Sequence, residues 1–482
     1  MRVLNNLEPS KVFYYFEELC KIPHGTENTK AVSDYCVTFA KAHGLKVHQD
    51  SYNDVVIYKD GTKGYEDSDP VILQGHLDMV CEKAPDKDHD FMTDGLDLVV
   101  DGDFVHADRT TLGGDDGIAI AMCLALLDDD SLAHPPLECL FTVDEETEML
   151  GAQVADLSLL KGKRLINIDS EEEGIITAGC AGGLDYVSTL PVKKTLLKGE
   201  HLSISIGGLL GGHSGGEIHK QRGNAIILLG HLLYDLKKEV PFGLETLSGG
   251  QVDNVIPPAA KAEILVAQEH VQSVMDFVKT REETLKSAFG SDESGLKVLC
   301  EKSGLKEKRV FDAESLSRVL AFITAAPQGV IGFERALPGQ VETSLNLGVC
   351  ASESDSVKLT FLIRSSIDSR RSFVKDKLEA LTELSGGTGE ILSPYPAWSF
   401  RENSELRDVL VHTFEEMYGK TPSVMSIHAG LECGFLTGKR PDLDCVSIGP
   451  DLFDVHSPKE KLSISSTQRT WAYLLKVLEK LK

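Results

Sequence analysis

One stretch of this sequence limits the possible folds more than any other. It is the run GIAIAMCLALL at residues 117–127, which is apolar almost all round. A helix without a polar face must be covered on every side, which suits a position against a buried sheet. Two later runs, LECLFTV at 137–143 and RLINID at 164–169, are typical of interior strands. Together these segments predict an α/β layer architecture.

Alternating helical and strand patterns precede this core segment. Before it we predict helices at 10–21 and 28–43 and short strands at 45–49, 54–59 and 70–75. From about residue 186 the pattern changes to antiparallel-looking pairs of strands with helices between them. The strands are predicted at 201–209, 261–267, 344–352 and 356–366, and the helices near 223–237, 268–288, 313–325 and 370–384. This second pattern indicates a compact α+β domain inserted into the first.

The length of 482 residues also exceeds what a single hydrophobic core usually supports. The Gly- and Pro-rich segment GGTGEILSPYPAW at 386–398 is a plausible linker back into the first domain, and helices are predicted beyond it at 403–418 and 464–482. We therefore expect a first domain formed by residues 1–185 and 395–482, with residues 186–394 inserted.

The charge balance excludes one class of partner. The formal net charge is -26, from 49 basic and 75 acidic residues. Such a chain repels nucleic-acid backbones and anionic membrane surfaces, and it has no basic stripe. We expect neither nucleic acid nor membrane as a partner. Acidic runs such as 128–130 and 171–173 are most simply solvated surface.

Cysteine usage and the start of the chain bear on the compartment. The ten cysteines contain no Cys-x-x-Cys pair, which suits reduced thiols better than a disulfide framework or a structural zinc site. The first residues lack a long apolar signal region, and no apolar run approaches about 18 residues, the length of a membrane span. We expect a cytoplasmic protein.

Acidic and histidine residues gather at the ends of the predicted elements. His76 and Asp78 follow the strand at 70–75 and, two residues apart in an extended segment, project to one face. Such a carboxylate can orient a metal-binding histidine. A hydrogen-bonded pair at a strand end explains this motif equally well when it is taken alone.

Asp115 and Asp116 stand in a glycine-flanked turn that opens the apolar helix. An Asp at a helix N-terminus can be a simple cap. Two adjacent carboxylates beside a buried element, however, cost free energy unless a cation neutralises them. The pair therefore points to a metal site as well as to a cap.

The strand at 137–143 ends in Asp144, Glu145 and Glu146. Neighbours on an extended segment point in opposite directions, so one glutamate could bind a metal while the other remains free as a base. A solvated loop is the simpler alternative.

Asp169 ends the next strand, and His456 lies in a late turn. Together with His76, Asp115 and Glu146 these side chains form a nitrogen and oxygen ligand set suited to zinc or a similar divalent metal.

Six segments in order carry a family resemblance: HLDMVCEK, TTLGGDDGIAIA, TVDEETEMLGA, NIDSEEEG, GGHSGGEIH and DVHSPKE. The chain resembles the aminoacyl-histidine dipeptidases, which belong to the co-catalytic zinc aminopeptidase and carboxypeptidase clan. The resemblance covers nearly the whole chain. It implies a phosphorylase/hydrolase-like, mixed-sheet catalytic domain with an inserted α+β lid and dimerisation domain.

The resemblance also implies roles for individual residues. His76 and Asp169 would bind one zinc, Glu146 and His456 the other, and Asp115 would bridge the two; manganese or cobalt could replace zinc. Asp78 would orient His76, and Glu145 would be the general base. His213 would reach the active site of a partner subunit, which implies a homodimer formed through the inserted domain. Asn254, Arg364 and Gly430 would bind a short peptide substrate.

The chain departs from the family pattern at the bridging loop. Arg109 and Asp116 stand where the family usually has Gly and Asn. Asp116 adds a negative charge beside the predicted metals, which could tighten binding or change the preferred ion. The preferred metal therefore stays open at this point.

Three functions are compatible with these motifs. The resemblance favours metal-dependent hydrolysis of dipeptides, either Xaa-His or a broader set. An amidohydrolase that deacylates N-acyl amino acids would use the same metals and base. A catalytically silent metal-binding protein would lack a ligand or the base, but all of these positions are filled here.

Overall fold

The computed structural model describes residues 2–482, which divide into two compact units. The first unit contains the residues up to Cys180 together with Trp398–Ser426 and Leu431–Lys482. The second contains Ala181–Ala397 and Ile427–Gly430. None of the described helices is both long and apolar enough to cross a membrane.

The amino-terminal part of the first unit alternates helices with strands. In chain order the elements are α1 (Ser10–Cys20), α2 (Lys30–Ala42), β1 (Lys46–Gln49), β2 (Val55–Lys59), β3 (Val71–His76), β4 (Leu98–Asp101), β5 (Phe104–Ala107), α3 (Gly114–Leu127), β6 (Leu137–Thr142), α4 (Glu145–Glu148), α5 (Leu150–Val154), β7 (Arg164–Asn167) and β8 (Ile175–Cys180).

The second unit is dominated by long strands. Its elements are β9 (Gly182–Pro191), β10 (Lys194–Gly207), α6 (Ala225–Glu239), β11 (Gly243–Gly249), β12 (Ala260–Val266), α7 (Val271–Phe289), β13 (Lys297–Phe311), α8 (Ala313–Ala325), β14 (Gly329–Phe333), β15 (Val341–Ser352), β16 (Ser356–Ser365), α9 (Asp368–Leu384) and β17 (Thr388–Tyr395).

The remaining elements complete the first unit. They are α10 (Glu405–Tyr418), β18 (Ser423–Ile427, which runs just into the second unit), α11 (Glu432–Lys439), β19 (Asp444–Ser447), β20 (Leu452–Phe453), β21 (Lys461–Ser463) and α12 (Ile464–Lys480). Single-turn 3₁₀ helices lie at 157–159, 218–220, 268–270 and 290–293.

The main sheet of the first unit is mixed, as predicted. Its strand order is β1-β2-β6-β3-β7-β19-β8-β18, and β3 runs parallel to both β6 and β7. The parallel register aligns the carboxyl ends of these three strands at one edge of the sheet. A smaller sheet, β20-β21-β5-β4, lies in the same unit.

Helix α3 is buried as its sequence requires. Every residue from Asp116 to Leu127 is buried, and its apolar side chains join a core shared with α1, β3 and β6. Its first turn lies so close to β3 that a side chain at Gly75 would collide with Asp116 and Ala119. The strand therefore requires a glycine where the helix begins.

The second unit is an antiparallel sheet flanked by helices, in agreement with the predicted α+β character. Its strand order is β13-β10-β12-β11-β15-β16-β9-β17, with β14 paired to β15. Helices α6 to α9 contribute to one core with these strands.

Two details differ from the sequence expectation. The predicted linker at 386–398 is wrong over most of its length, because β17 pairs with β9 as an edge strand. Proline is tolerated at sheet edges and bulges, and Pro394 lies where the register shifts between Leu392 and Tyr395. The predicted boundaries at 185/186 and 394/395 also fall inside β9 and β17, and residues 427–430 group with the second unit.

Candidate functional site

The ends of β3, β6 and β7 bring several predicted site residues together in the first unit. His76 is the last residue of β3 and is 1% exposed. Its Nε2 lies 3.2 Å from Asp115 Oδ1 and 3.7 Å from Asp169 Oδ1. Its Nδ1 lies 3.0 Å from the carbonyl oxygen of Asp78 and 3.5 Å from Asp78 Oδ1. Asp78 therefore stands where it could orient the ring.

Asp115 is shared between two histidines. Its Oδ1 lies 3.2 Å from His76 Nε2, and its Oδ2 lies 3.2 Å from His456 Nε2. His456 Nε2 also lies 3.0 Å from Glu146 Oε2. No side-chain cap closes the N-terminus of α3, and Asp115 itself has non-helical backbone angles. The carboxylate thus connects two donor groups instead of capping the helix.

The acidic segment after β6 differs from the extended arrangement that was predicted. Asp144 adopts a left-handed conformation with φ 53°, and Glu145 opens the short helix α4. The prediction that Glu145 and Glu146 point in opposite directions along an extended segment is therefore wrong. Instead, Asp78 fixes this turn, because its carboxylate accepts hydrogen bonds from the backbone N–H groups of Glu145 (3.0 Å) and Glu146 (3.3 Å).

The donor set fits divalent metal ions. Three groups of ligand atoms converge within 4.8 Å: His76, Asp116 and Asp169; His76, Glu145 and Glu146; and Asp115, Glu146 and His456. Imidazole nitrogen with carboxylate oxygen is the set that zinc and similar ions prefer. Glu146 Oε1 is buried without a hydrogen-bond partner, which leaves an oxygen available for a cation.

The pKa values in the cluster also favour a bound cation. Burial raises the pKa of Glu145 to about 8, and neighbouring carboxylates add to the rise. Burial, reinforced by Asp116 and Asp115, raises the pKa of Asp169 well above its usual value. The carboxylates of Asp115 and Glu146 raise the pKa of His456 to about 11. A divalent cation bound where these acids meet would offset their mutual repulsion and favour their ionised forms.

Asp116, where the family usually has Asn, lies deep in the cluster. It is 1% exposed, and its Oδ2 accepts a hydrogen bond from the backbone N–H of His76 at 3.2 Å. Its carboxylate also belongs to one of the converging donor groups. The departure therefore adds an acid in direct reach of the other candidate ligands.

We expect Asp116→Asn to fold normally, because the amide oxygen of Asn can accept the same hydrogen bond from His76. Loss of one nearby negative charge should weaken divalent metal binding by about fivefold or more, because unit charges about 4 Å apart interact by roughly 1 kcal/mol even under the screening of bulk water. Titration of the metal-free variant against a chelator of known affinity measures the change. Metal binding at least as tight as in the unchanged protein would contradict this reading of Asp116.

The three predicted substrate residues, Asn254, Arg364 and Gly430, lie in the second unit, as does His213, which is predicted to be catalytic. Ser214, next to His213, donates its backbone N–H to the carbonyl of Asn254 at 2.8 Å. A side chain at Gly215 would collide with the carbonyl of His428 and lie 2.9 Å from the His213 ring. His428 precedes Gly430 by two residues. The turn that carries His213, the Asn254 segment and the 427–430 segment therefore form one patch.

Arg364 completes this patch. It is 6% exposed, lies opposite Ser344 in the β15–β16 register, and donates from Nη1 to the Tyr395 hydroxyl at 2.6 Å. Ser344 Oγ in turn lies 2.7 Å from His428 Nε2. Arg364 Nε has no hydrogen-bond partner among the described residues, and Asp185 is the nearby acid that its charge affects. A buried guanidinium with an unused N–H donor is suited to bind a carboxylate.

Several residues close to these sites were not predicted. Glu460 and Glu432 lie beside the cluster in the first unit, and burial raises the pKa of both, to about 7 for Glu460. Tyr395 contacts Arg364 in the second unit. Glu460 does stand in the segment DVHSPKE, but nothing in its spacing separates it from a surface acid.

A mixed sheet flanked by helices carries two sets of nitrogen and oxygen donors at its strand ends, with further acidic side chains beside them. This arrangement defines a metal-dependent hydrolase. The family profile of peptidase family M20/M25/M40 matches residues 72–480. The chain therefore belongs to this peptidase family, and it is a metallopeptidase.

Individual relatives agree with this assignment. The cytosol non-specific dipeptidase of Escherichia coli (strain K12) is 38% identical over 483 residues, which covers 100% of this chain and 99% of that protein. The crystal structure of aminoacylhistidine dipeptidase from Vibrio alginolyticus superposes with a TM-score of 0.93 at 37% identity, over 99% of this chain and 98% of that one. Aminopeptidase PepT from Bacillus cereus, at 14% identity, shares the fold with a TM-score of 0.57 over 98% and 99% of the two chains.

Proposed function

We propose that this protein hydrolyses dipeptides with a two-metal centre. One observation carries the proposal: the carboxylate of Asp115 lies 3.2 Å from both His76 and His456, one on each oxygen. A carboxylate in that position can bridge two cations. His76 and Asp169 would hold one ion and Glu146 and His456 the other, which is the arrangement that the family resemblance implies. Zinc suits this donor set best, and manganese or cobalt can use the same ligands.

When bound, a pair of divalent ions lowers the pKa of a water molecule toward about 7 and polarises the scissile carbonyl. The chain supplies the proton transfers. Glu145 lies beside Glu146 in one of the converging donor groups, and its raised pKa suits a group that accepts a proton near neutral pH. Glu145 would take the proton of the attacking water and return it to the leaving amine. Asp78 would hold the turn that carries it.

Arg364 would bind the carboxylate at the C-terminus of the substrate. Its Nε is free, and its Nη1 is oriented by Tyr395. Binding of that carboxylate would favour short peptides with an unmodified end. His213, Asn254 and Gly430, which lie in or beside the same patch of the second unit, would contact the rest of the substrate.

We expect Arg364→Lys to raise the KM for a dipeptide by about 10- to 100-fold with a smaller effect on kcat, because a hydrogen bond to a charged group contributes about 1.5–3 kcal/mol. The KM for the corresponding dipeptide amide should change little. Steady-state kinetics with both substrates checks this, with Arg318→Lys as a control in the same unit. If KM rose equally for the dipeptide and for its amide, Arg364 would not be the residue that binds the carboxylate.

The relatives support dipeptides as the substrate class. One is named a non-specific dipeptidase and the other an aminoacylhistidine dipeptidase, and both match over essentially the full chain. We therefore infer a dipeptidase that accepts Xaa-His substrates within a broader range. The name of the Escherichia coli relative and the ten free cysteines support a cytoplasmic location.

A homodimer formed through the second unit is part of this proposal. Its edge strand β17 is exposed along nearly its whole length, including Ile391 and Leu392. An unprotected edge strand offers hydrogen-bonding groups to a second copy.

A substrate panel tests the proposed activity. Xaa-His dipeptides, other dipeptides, tripeptides and N-acetyl amino acids are compared at equal enzyme and metal concentrations. Dipeptides should have kcat/KM values at least about tenfold above the rest, a difference of about 1.4 kcal/mol in transition-state binding. Preference for N-acetyl amino acids would instead identify a deacylase that uses the same residues.

A further inference from the structure

We propose that Glu460 is a positioning residue of the metal centre: its buried carboxylate holds the loop that presents Asp115 and so sets the affinity for metal. This inference rests on the proposed function, because it takes Asp115 as a metal ligand. No role for Glu460 follows from the ligand set itself, since it belongs to none of the converging donor groups.

The carboxylate of Glu460 is surrounded by the backbone of the loop before α3. Its Oε2 accepts hydrogen bonds from the N–H groups of Leu112 at 2.7 Å and Gly113 at 3.2 Å. Its Oε1 accepts from Gly114 at 2.8 Å and, at 3.5 Å, from Asp115. Glu460 is 3% exposed. One side chain thus binds four consecutive N–H groups that end at the bridging residue.

The same side chain is anchored on the turn that carries His456. The backbone N–H of Glu460 donates to the carbonyl of Ser457 at 3.0 Å, and Ser457 Oγ donates to the carbonyl of Asp454 at 2.7 Å. The next residues form β21, which pairs with β5 and β20. Glu460 therefore joins the loop of Asp115 to the turn of His456. Glu460 and Asp115 are 345 residues apart in the sequence.

The hydrogen-bond partners of the Glu460 carboxylate among the described residues are the N–H groups of the loop, and they compensate its negative charge when it is ionised. These N–H groups belong to the loop that leads into the regular part of α3, because Asp115 and Asp116 have non-helical backbone angles. If the carboxylate moves, the loop loses several acceptors at once, and Asp115 loses its fixed position between two histidines.

The expected effect is on metal binding. Groups that orient metal ligands typically change affinity by about 10- to 100-fold when they are replaced. In Glu460→Gln the amide nitrogen cannot accept the N–H groups that one oxygen now accepts. In Glu460→Asp the charge is kept, but the carboxylate is withdrawn by one methylene. We expect both variants to bind zinc about 10- to 100-fold more weakly than the unchanged protein.

Glu138 offers a matched control. It is also a buried carboxylate, at 4% exposed, and it accepts hydrogen bonds from the backbone N–H groups of Lys161 and Gly162. Neither of these residues belongs to the proposed metal centre. Glu138→Gln should lower thermal stability to a similar degree while leaving zinc affinity unchanged.

The experiment measures zinc affinity of the full-length, metal-stripped protein by competition with a chromophoric chelator, together with its melting temperature. Weakened binding in both Glu460 variants, with normal binding in Glu138→Gln, supports positioning. If only Glu460→Gln weakens binding, the effect is one of charge, and the proposal is wrong. It is also wrong if Glu138→Gln weakens binding as much, or if neither Glu460 variant does. Because the aspartate variant keeps an acid at the loop, it provides a folded test if the glutamine variant does not fold.

Different results would contradict the positioning role of Glu460 and the proposed function. If the unchanged protein binds zinc and cleaves dipeptides while the Glu460 variants bind zinc normally, only the positioning role is lost. If the unchanged protein binds no divalent metal, the proposed function itself fails.

Discussion

Replacement of Glu145 by Gln is expected to lower kcat for dipeptides by about 10²- to 10⁴-fold, the usual contribution of a positioned general base. The amide cannot accept a proton from water, although it fills nearly the same space. The ends of β3, β6 and β7 should stay in place, because Asp78 contacts the backbone N–H of residue 145 and not its side chain. KM should change little, because the residue proposed to bind the substrate carboxylate is Arg364. Steady-state kinetics at saturating zinc measures both constants.

The control for this variant is Glu148→Gln. Glu148 lies in the same short helix, but its side chain is exposed. It should retain normal kcat. Metal content must be measured on the same samples, so that loss of metal is not mistaken for loss of a base. Near-normal turnover by Glu145→Gln with full metal content would show that another group accepts the proton.

The second large effect is expected at Asp115. Asp115→Asn should lower activity by about a thousandfold or more and reduce the bound metal below two ions per chain, because its two oxygens are the connection between His76 and His456. A neutral amide offers one oxygen acceptor and an NH2 group that only donates, so it cannot serve both sides. The loss should be comparable to that of a catalytic base or larger, since the whole centre depends on this contact.

The adjacent residue provides the control for Asp115. Asp116→Asn changes the same chemical group one position along the chain, but its carboxylate accepts a backbone N–H instead of joining the two histidines. At saturating zinc it should hold both ions and retain most of its activity. Metal analysis and kinetics of the two variants side by side give the comparison. If Asp115→Asn kept two ions and normal turnover, the bridging role would be wrong.

Much of the fold could be predicted because local patterns determined it. The fully apolar run at 117–127 could only be a buried helix, and α3 is one. The strands beside it were equally recognisable, and their parallel register brings His76, Glu146 and Asp169 to one edge. Sequence order and strand ends therefore indicate most of the candidate ligands.

The features that were missed depend on contacts that no local pattern records. Strand β17 looks like a linker because glycine and proline dominate it, yet the open edge of β9 pairs with it. The left-handed Asp144 turns the chain into a helix where an extended segment was expected. Glu460 has the composition of a surface acid, and only the tertiary structure shows that its partners are four N–H groups of a loop more than three hundred residues away.

The most direct test of the central claim is a zinc titration of the metal-stripped protein, with metal content and Xaa-His dipeptide hydrolysis measured on the same samples. We predict that hydrolysis is absent without metal, appears as zinc is added and reaches its maximum at two ions per chain. The melting temperature should rise in parallel, because a ligand bound only by the folded state stabilises it by about 2.7 kcal/mol at a hundredfold excess over its Kd. Dipeptide hydrolysis that persists in the stripped protein, or two bound zinc ions without any hydrolysis, would contradict the two-metal dipeptidase described above.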